Sequence, residues 1–202
     1  MMENGAYTLG GKPSGRAGYI AGVLMNIFQT RTYISIIDHD NTRLGDTLLD
    51  IGCGGGAFIN RLIKRKKIKQ AYAVDHSEKM IELAAKKNRN LISAGIVHVE
   101  SAAVDSLPFP DEMFNTVSAL ETIQFWARLD RAADEVRRVL KPQGLFLIIN
   151  RFPQEDSPWY QKMQLKSPAE YRSLLEQHGM EVKRTDTEQK KGWIMVKAQK
   201  QL

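Results

Sequence analysis

An apolar run meets a cluster of glycines at residues 48–56, which read LLDIGCGGG. Thr47 and the apolar residues that follow it are typical of a short, buried parallel strand. Residues 57–63, AFINRLI, then carry apolar side chains at helical spacing. Glycines at the junction allow positive φ angles and a close approach of a ligand to the backbone. The segment predicts a strand, a tight turn and a helix whose first amide groups can bind a polar ligand.

Two kinds of nucleotide cofactor use a turn of this build, and the glycine spacing fits both. Gly52, Gly54 and Ala57 satisfy a relaxed dinucleotide fingerprint. Asp50, two residues before the first glycine, satisfies the acid-first pattern of proteins that bind S-adenosylmethionine. A carboxylate attracts a cationic sulfonium cofactor and repels a pyrophosphate. Asp50 therefore favours the sulfonium cofactor.

A second strand is expected at residues 71–75, AYAVD, which end in an acid. In nucleotide-binding folds of this kind, an acid at the end of the second strand holds the ribose hydroxyls. Asp75 is therefore the predicted ribose ligand, the alternative being that it only ends a strand. Ser77 then stands where the N-cap of the next helix is expected.

These segments resemble the class I S-adenosylmethionine-dependent methyltransferases. Two further segments carry the resemblance, residues 106–111 (SLPFPD) and residues 137–144 (RRVLKPQG), and all occur in the family's order. The family's fold is an α/β, Rossmann-like three-layer sandwich with a seven-stranded, mostly parallel sheet, an antiparallel last strand and an N-terminal helical cap. More narrowly, residues 121–126 (ETIQFW) and 191–194 resemble small microbial methyltransferases of unassigned substrate.

The resemblance implies a site for S-adenosylmethionine at the ends of the first strands. Asp50 and the backbone of the glycine loop would face the methionine part, Asp75 would hold the ribose, and His76 would lie along the adenine. The full set of implied cofactor-binding residues is Asp50, Ile51, Gly52, Cys53, Gly54, Asp75, His76, Ala103, Val104 and Leu120.

Three positions depart from the family's pattern. The family usually has an Asp where this chain has Ala103, so a carboxylate that accepts from the adenine amino group is missing. The backbone of Ala103 still offers contacts, and Ser101 or Asp105 is a candidate substitute. Asn115 stands where Asp is usual, and Gln143 stands where Gly is usual.

Alternating strand and helix patterns predict a parallel sheet between helices. Strands are expected near residues 47, 71, 96, 115, 145, 180 and 191. The last two are joined by a short polar connection, which predicts an antiparallel hairpin. We expect a flexible segment at 1–15 and one domain at 16–202, divided into a helical cap (16–42), a cofactor-binding core (43–150), a candidate lid (151–166), and a C-terminal helix and hairpin (167–202).

Two of these segments have alternative interpretations. The cap helices contribute to the acceptor pocket or simply pack on the sheet. The irregular segment 151–166, with Pro153, Pro158 and Trp159, either closes over an apolar or planar acceptor or anchors a loop to the core.

Composition agrees with an ordinary globular domain of 202 residues, with 43% hydrophobic and 26% charged residues. Cys53 is the single cysteine, so no disulfide can form within the chain. The role expected for Cys53 is that of a small turn residue, and the alternative is a reactive thiol. We expect a cytoplasmic protein, because the sequence shows neither an apolar run of membrane-spanning length nor a signal peptide. No Cys or His pair has metal-ligand spacing, so no metal site is predicted.

The net charge of +6 suggests nucleic-acid binding, but the positions of the positively charged residues in the sequence argue against it. They cluster at residues 64–69 and 86–89, where each of two predicted helices ends and cations are favoured. Nucleic acid is therefore not an expected partner. The sequence leaves the oligomeric state open.

Glu121 is the candidate catalytic residue, because it follows the fourth strand, where the methyl group of the cofactor would point. It would orient or deprotonate a small-molecule acceptor. The alternative is that its carboxylate binds the methionine amino group or a backbone amide. Rival functions are an RNA or protein methyltransferase, a scaffold that binds the cofactor without turnover and, more distantly, a nicotinamide oxidoreductase.

Overall fold

A computed structural model describes residues 30–65, 68–152, 155, 160–188 and 192–202. The strands are β1 (Thr47–Ile51), β2 (Gln70–Asp75), β3 (Val97–Ser101), β4 (Phe114–Leu120), β5 (Leu140–Arg151), β6 (Met180–Glu188) and β7 (Trp193–Lys200). The helices are α1, described over residues 30–39, α2 (Ala57–Ile63), α3 (Glu78–Ser93), α4 (Leu129–Val139) and α5 (Pro168–Gln177). Short 3-10 helices cover Ile123–Phe125 and Tyr160–Lys162. Within these ranges, no helix combines the length and the apolar character needed to cross a membrane.

The seven strands form one sheet in the order β3-β2-β1-β4-β5-β7-β6. Neighbouring strands from β3 to β5 are parallel, and β7 is antiparallel to both β5 and β6. This confirms the predicted mostly parallel sheet and its terminal hairpin. Strand order reverses between β1 and β4, and ligands of open α/β sheets bind beyond the carboxyl ends of the strands at such a point.

Helices cover both faces of the sheet, which confirms the three-layer sandwich. On one face, Tyr33, Ile34 and Ile37 of α1 share a buried cluster with residues of α2, β1 and β2. On the other face, Val136 of α4 and Tyr171 of α5 lie in a second cluster with residues of β4 and β5. Burial of these apolar surfaces is the main stabilising contribution to such a domain.

Local chemistry explains where two of the helices begin. α5 starts with a capping box, in which Ser167 Oγ accepts from the Glu170 amide and Glu170 Oε2 accepts from the Ser167 amide at 2.9 Å. At α3 the N-cap residue is Ser77, but its hydroxyl makes no capping bond. The Asp75 carboxylate instead accepts a hydrogen bond from the Ser77 amide at 2.9 Å.

An ion cluster attaches the end of α1 to the terminal hairpin. The Asp40 side chain is only 3% exposed and lies 2.8 Å from Arg184 Nη1 and 2.5 Å from Lys197 Nζ. Hydrogen bonds from Lys197 and Thr42 hold the pKa of Asp40 below its usual value, although burial acts in the opposite direction. These bonds fix the part of the cap that the structure describes. Residues 1–29 and the lid residues Pro153, Pro158 and Trp159 lie outside the described residues.

Two departures from the family's pattern have structural consequences. Asn115 Oδ1 accepts from both the amide and the hydroxyl of Thr47, at 3.1 and 2.9 Å, so this side chain ties the start of β4 to the start of β1. Gln143 has a φ of 61°, a backbone conformation that favours glycine. This left-handed backbone within β5 explains the usual glycine at that position.

Candidate active site

The loop from β1 to α2 is tied to the end of β2 by its own amides. Gly52 and Cys53 both donate to the carbonyl of Val74, at 2.8 and 3.0 Å, and Gly54 donates to Asp75 Oδ2 at 3.0 Å. The amides of residues 52–54 therefore hold the loop in place, whereas the amides predicted to be available to a ligand are those that open α2.

Glycine at position 52 is required by packing within the protein. Its φ is 72°, and a Cβ built there would lie 2.3 Å from Cγ2 of Thr122. At Gly56, with φ 69°, a Cβ would lie 2.6 Å from Nδ2 of Asn88. Both positions combine a left-handed backbone with a close neighbour, so a side chain is excluded on two grounds.

The carboxyl group of Asp50 is almost fully buried, with 2% of the residue exposed. Ser118, its partner in the β1–β4 register, donates from Oγ to Asp50 Oδ1 at 2.8 Å. Burial raises the pKa of Asp50 to about 7; the Ser118 hydrogen bond opposes this shift and the negative charge of Asp75 adds to it. A cationic ligand would favour ionisation of this carboxyl group.

Asp75 lies at the end of β2 and is 8% exposed. Its two oxygens accept from the amides of Gly54 and Ser77, so one carboxylate joins the glycine loop to the start of α3. His76 is exposed, and its Nδ1 lies 3.5 Å from Asp75 Oδ1. The structure thus brings Asp50 and Asp75 to the same end of the sheet, on either side of the glycine loop.

In the segment after β3, the carboxylate considered for the adenine is already paired within the protein. Ala103 is exposed, and its carbonyl accepts from the Ser106 amide at 3.2 Å. Asp105, one of the substitutes considered for the missing acid, forms an ion pair with Arg128, whose Nε lies 2.8 Å from Oδ2. Val104 and Leu120, two other predicted site residues, are partly buried against the two apolar clusters.

Cys53 is buried in the glycine loop, with 5% of the residue exposed. Burial raises the pKa of its thiol well above the ordinary value, and the charges of Asp50 and Asp75 act in the same direction. Because the thiolate is the reactive form, these surroundings favour the role of a small turn residue.

Glu121 follows β4 with a strained backbone and a partly buried carboxylate. Its φ is 58°, and its amide donates to the carbonyl of Ile149 at 2.8 Å. Arg151 Nε donates to Glu121 Oε2 at 2.9 Å, and the glutamate side chain is 17% exposed. Burial raises the pKa of Glu121, and the charge of Arg151 partly offsets this. Strained residues persist where the surrounding structure holds them, and they cluster at functional sites.

Two tyrosines, carried by helices on opposite faces of the sheet, feel the charge of Glu121. Tyr33 of α1 is 8% exposed, and burial together with the charge of Glu121 raises the pKa of its hydroxyl. Burial also raises the pKa of Tyr171 of α5 to about 12, against a hydrogen bond from Asn150. Both hydroxyls therefore stay protonated at neutral pH.

Sequence reasoning gave no site role to Ser118, Tyr33 or Arg151. Ser118 was detectable in principle, because it is a polar residue inside the apolar strand β4, but its pairing with Asp50 was not. Tyr33 reads as one more apolar-face residue of a helix. Arg151 reads as the start of an irregular segment. The roles of Tyr33 and Arg151 become apparent only from the assembled sheet and its helices.

Comparisons with known proteins agree with this geometry. Residues 49–148 match the methyltransferase domain family. A fatty-acid O-methyltransferase of Mycolicibacterium smegmatis is 30% identical over 124 residues, which are 61% of this chain and 44% of that protein. A ubiquinone/menaquinone biosynthesis C-methyltransferase of Escherichia coli is 31% identical over 116 residues, which are 56% of this chain and 45% of that protein.

A solved structure of a SAM-dependent methyltransferase from Aquifex aeolicus shares the fold. It superposes with a TM-score of 0.69 at 25% identity and covers 82% of this chain and 87% of that one. The chain spans less than half the length of the two enzymes named above.

Proposed function

Because the chain belongs to the class I S-adenosylmethionine-dependent methyltransferases, we propose that it transfers a methyl group to a small-molecule acceptor. S-adenosylhomocysteine is the second product. One observation carries the proposal: two buried carboxylates, Asp50 and Asp75, flank the glycine loop at the carboxyl ends of β1 and β2. When bound, S-adenosylmethionine supplies an electrophilic methyl carbon on a positively charged sulfur.

The chemistry of these residues fits that donor. Asp50 would meet the positively charged methionine part, and Asp75 would accept from the ribose hydroxyls. Gly52 and Gly54 place no side chains of their own beside these carboxylates. No carboxylate after β3 is assigned to the adenine, because Asp105 is engaged by Arg128. The backbone near Ala103 is the proposed adenine contact.

Glu121 is the proposed acceptor-side residue. It lies after β4, the strand next to β1, so its carboxylate is close to the donor end of the site. Methyl transfer depends mostly on holding the nucleophile in line with the methyl carbon. A base adds to the rate when the acceptor must lose a proton, and a partly buried carboxylate with a raised pKa suits that task.

The names of the relatives support a small-molecule acceptor. One is named for a fatty acid and the other for ubiquinone and menaquinone biosynthesis. We propose the same general class for this chain, a small organic acceptor, and the role of Glu121 applies where its reacting group must lose a proton.

The direct test is a screen of metabolites for formation of S-adenosylhomocysteine by the full chain. The panel contains carboxylic acids, phenols, amines and thiols, with total RNA and a protein extract as separate arms. We expect product with at least one small molecule. Product formed only with RNA or protein would replace the proposal by the macromolecular rival, and failure to bind either S-adenosylmethionine or S-adenosylhomocysteine in calorimetry would overturn the proposal altogether.

Asp75→Ala is expected to weaken S-adenosylmethionine binding by about 1 to 3 kcal/mol, because hydroxyl hydrogen bonds are lost and the loop loses its anchor. Isothermal titration calorimetry measures this change. Asp46→Ala is the matched control, since Asp46 is exposed at the opposite end of β1 and pairs with Lys69. An Asp75→Ala protein that binds as tightly as the wild type would contradict the ribose assignment.

Asp50→Asn is expected to weaken S-adenosylmethionine binding by about tenfold to hundredfold, because the neutral amide no longer attracts the cationic donor. In the wild type, the affinity should rise between about pH 6 and pH 8 as Asp50 ionises, since its pKa is about 7. Asp50→Asn should remove this pH dependence. Calorimetry across this pH range measures both effects.

The same substitution should stabilise the ligand-free protein at pH 8. The folded pKa of Asp50 lies above the unfolded value near 4, so the folded state binds more protons between these values and stability falls as pH rises through that window. Asp50→Asn avoids this loss, and we expect a gain of about 1 to 3 kcal/mol at pH 8 that shrinks towards pH 4. Urea unfolding at both pH values tests this, and equal stability of the two proteins at pH 8 would contradict it.

A further inference from the structure

Arg151 contacts the carboxylate proposed to receive the acceptor's proton. It is the last residue of β5, and β5 lies next to β4 in the sheet. Its Nε lies 2.9 Å from Glu121 Oε2, with the arginine side chain 33% exposed and the glutamate 17% exposed. A charge-assisted bond in such partly buried surroundings is stronger than one at the surface.

The backbone on both sides of this ion pair is fixed. Glu121 donates its amide to Ile149 and accepts at its carbonyl from Gln124 Nε2 at 2.7 Å. Arg151 pairs with Trp193 in the β5–β7 register, and the next amide, that of Phe152, donates to Gly192 at 2.9 Å. The guanidinium and the carboxylate are thus presented to each other by two hydrogen-bonded strands.

The charged and titratable groups around Glu121 come from four elements. Tyr33 of α1 and Tyr171 of α5 both feel the charge of Glu121, and both are neutral at pH 7. The negative charge of Asp50, in β1, also raises the pKa of the Tyr33 hydroxyl. Arg151 of β5 supplies the positive charge in this group. Without it, burial would favour the protonated form of Glu121, which cannot accept a proton.

We propose that Arg151 is a positioning residue that holds the Glu121 carboxylate in place and ionised so that it can receive the acceptor's proton. This inference rests on the proposed function. In the step concerned, a lone pair of the acceptor forms the bond to the methyl carbon, the carbon–sulfur bond breaks and its electron pair stays on sulfur. The acceptor's proton moves to a Glu121 carboxylate oxygen, which becomes a carboxylic acid.

The first test needs no acceptor. The carboxyl carbon of Glu121 is followed by NMR in the full chain labelled with carbon-13 glutamate, and Glu121→Gln assigns the resonance. Arg151→Gln should move the titration midpoint of Glu121 to higher pH, and Arg151→Lys should restore most of the wild-type value. Arg172→Gln is the matched control, since Arg172 pairs with Glu176 at 2.9 Å on exposed positions of α5. A Glu121 titration that is unchanged in Arg151→Gln would overturn the proposal.

The second test uses an acceptor identified by the metabolite screen. Arg151→Gln should lower kcat by about tenfold at pH 7, and this loss should shrink as the pH is raised, because Glu121 then ionises without its partner. Arg151→Lys should stay close to wild type. If kcat falls by the same factor at every pH, Arg151 has a purely structural role. If only KM rises, Arg151 has a binding role. Either result would overturn the proposal.

The two tests separate failure of this inference from failure of the proposed function. If the screen finds no acceptor, the NMR titration still decides whether Arg151 controls the ionisation of Glu121. If the screen succeeds and the titration does not respond to Arg151→Gln, the chain remains a methyltransferase and the role given to Arg151 is wrong.

Discussion

Glu121→Gln is expected to lower turnover by about 100-fold to 10,000-fold with an acceptor that must lose a proton, the range that a general base contributes. The amide has nearly the same shape and can still accept from Arg151 Nε, so the pairing geometry of 2.9 Å is preserved while the proton acceptor is lost. S-adenosylmethionine affinity should change by less than about threefold, because the substitution spares Asp50 and Asp75. Steady-state kinetics and calorimetry measure the two quantities.

Glu181→Gln is the control for this substitution, since Glu181 is an exposed residue of β6 outside the site. It should change neither quantity. Equal losses of turnover and of donor affinity in Glu121→Gln would place the carboxylate on the methionine amino group. Unchanged turnover would show that the acceptor reacts without a base, as a preformed carboxylate or thiolate would.

The fold was predictable because its determinants are local. An apolar strand followed by glycines and a helix, repeated strand and helix patterns, and a short polar connection before the last strand are each contained in a few neighbouring residues. The capping box of Ser167 and Glu170 is a short local pattern and is present in the structure. Patterns of this kind do not depend on how distant segments meet.

The site was only partly predictable, because its side chains meet across strands. Ser118 reaches Asp50 over 68 positions and Arg151 reaches Glu121 over 30, through the registers of β1 with β4 and β4 with β5. Register depends on the packing of the whole sheet, which a single sequence does not specify residue by residue. For the same reason the sequence did not predict that the amides of residues 52–54 bond to Val74 and Asp75.

Gly52→Ala is expected to destabilise the protein by about 3 kcal/mol or more, because backbone strain and steric overlap add. The backbone at Gly52 has φ 72°, and a Cβ would lie 2.3 Å from Cγ2 and 2.8 Å from Cβ of Thr122. Urea unfolding measures the loss. Gly95→Ala separates the two causes, since Gly95 has φ 70° and nothing lies within 4 Å of where its Cβ would be. That control should cost about 1 kcal/mol, the strain alone.

Removing the neighbour should rescue the substitution. In a Thr122→Gly background the overlap is absent, so Gly52→Ala should cost about as much as Gly95→Ala, and the difference between the backgrounds measures the coupling of the two sites. If Gly52→Ala costs no more than Gly95→Ala in the wild-type background, Thr122 moves aside and the first glycine of the loop serves the ligand instead. If the coupling is found, Gly52 is needed to pack the loop against Thr122 beside Glu121, so one glycine links the donor loop to the acceptor side of the site.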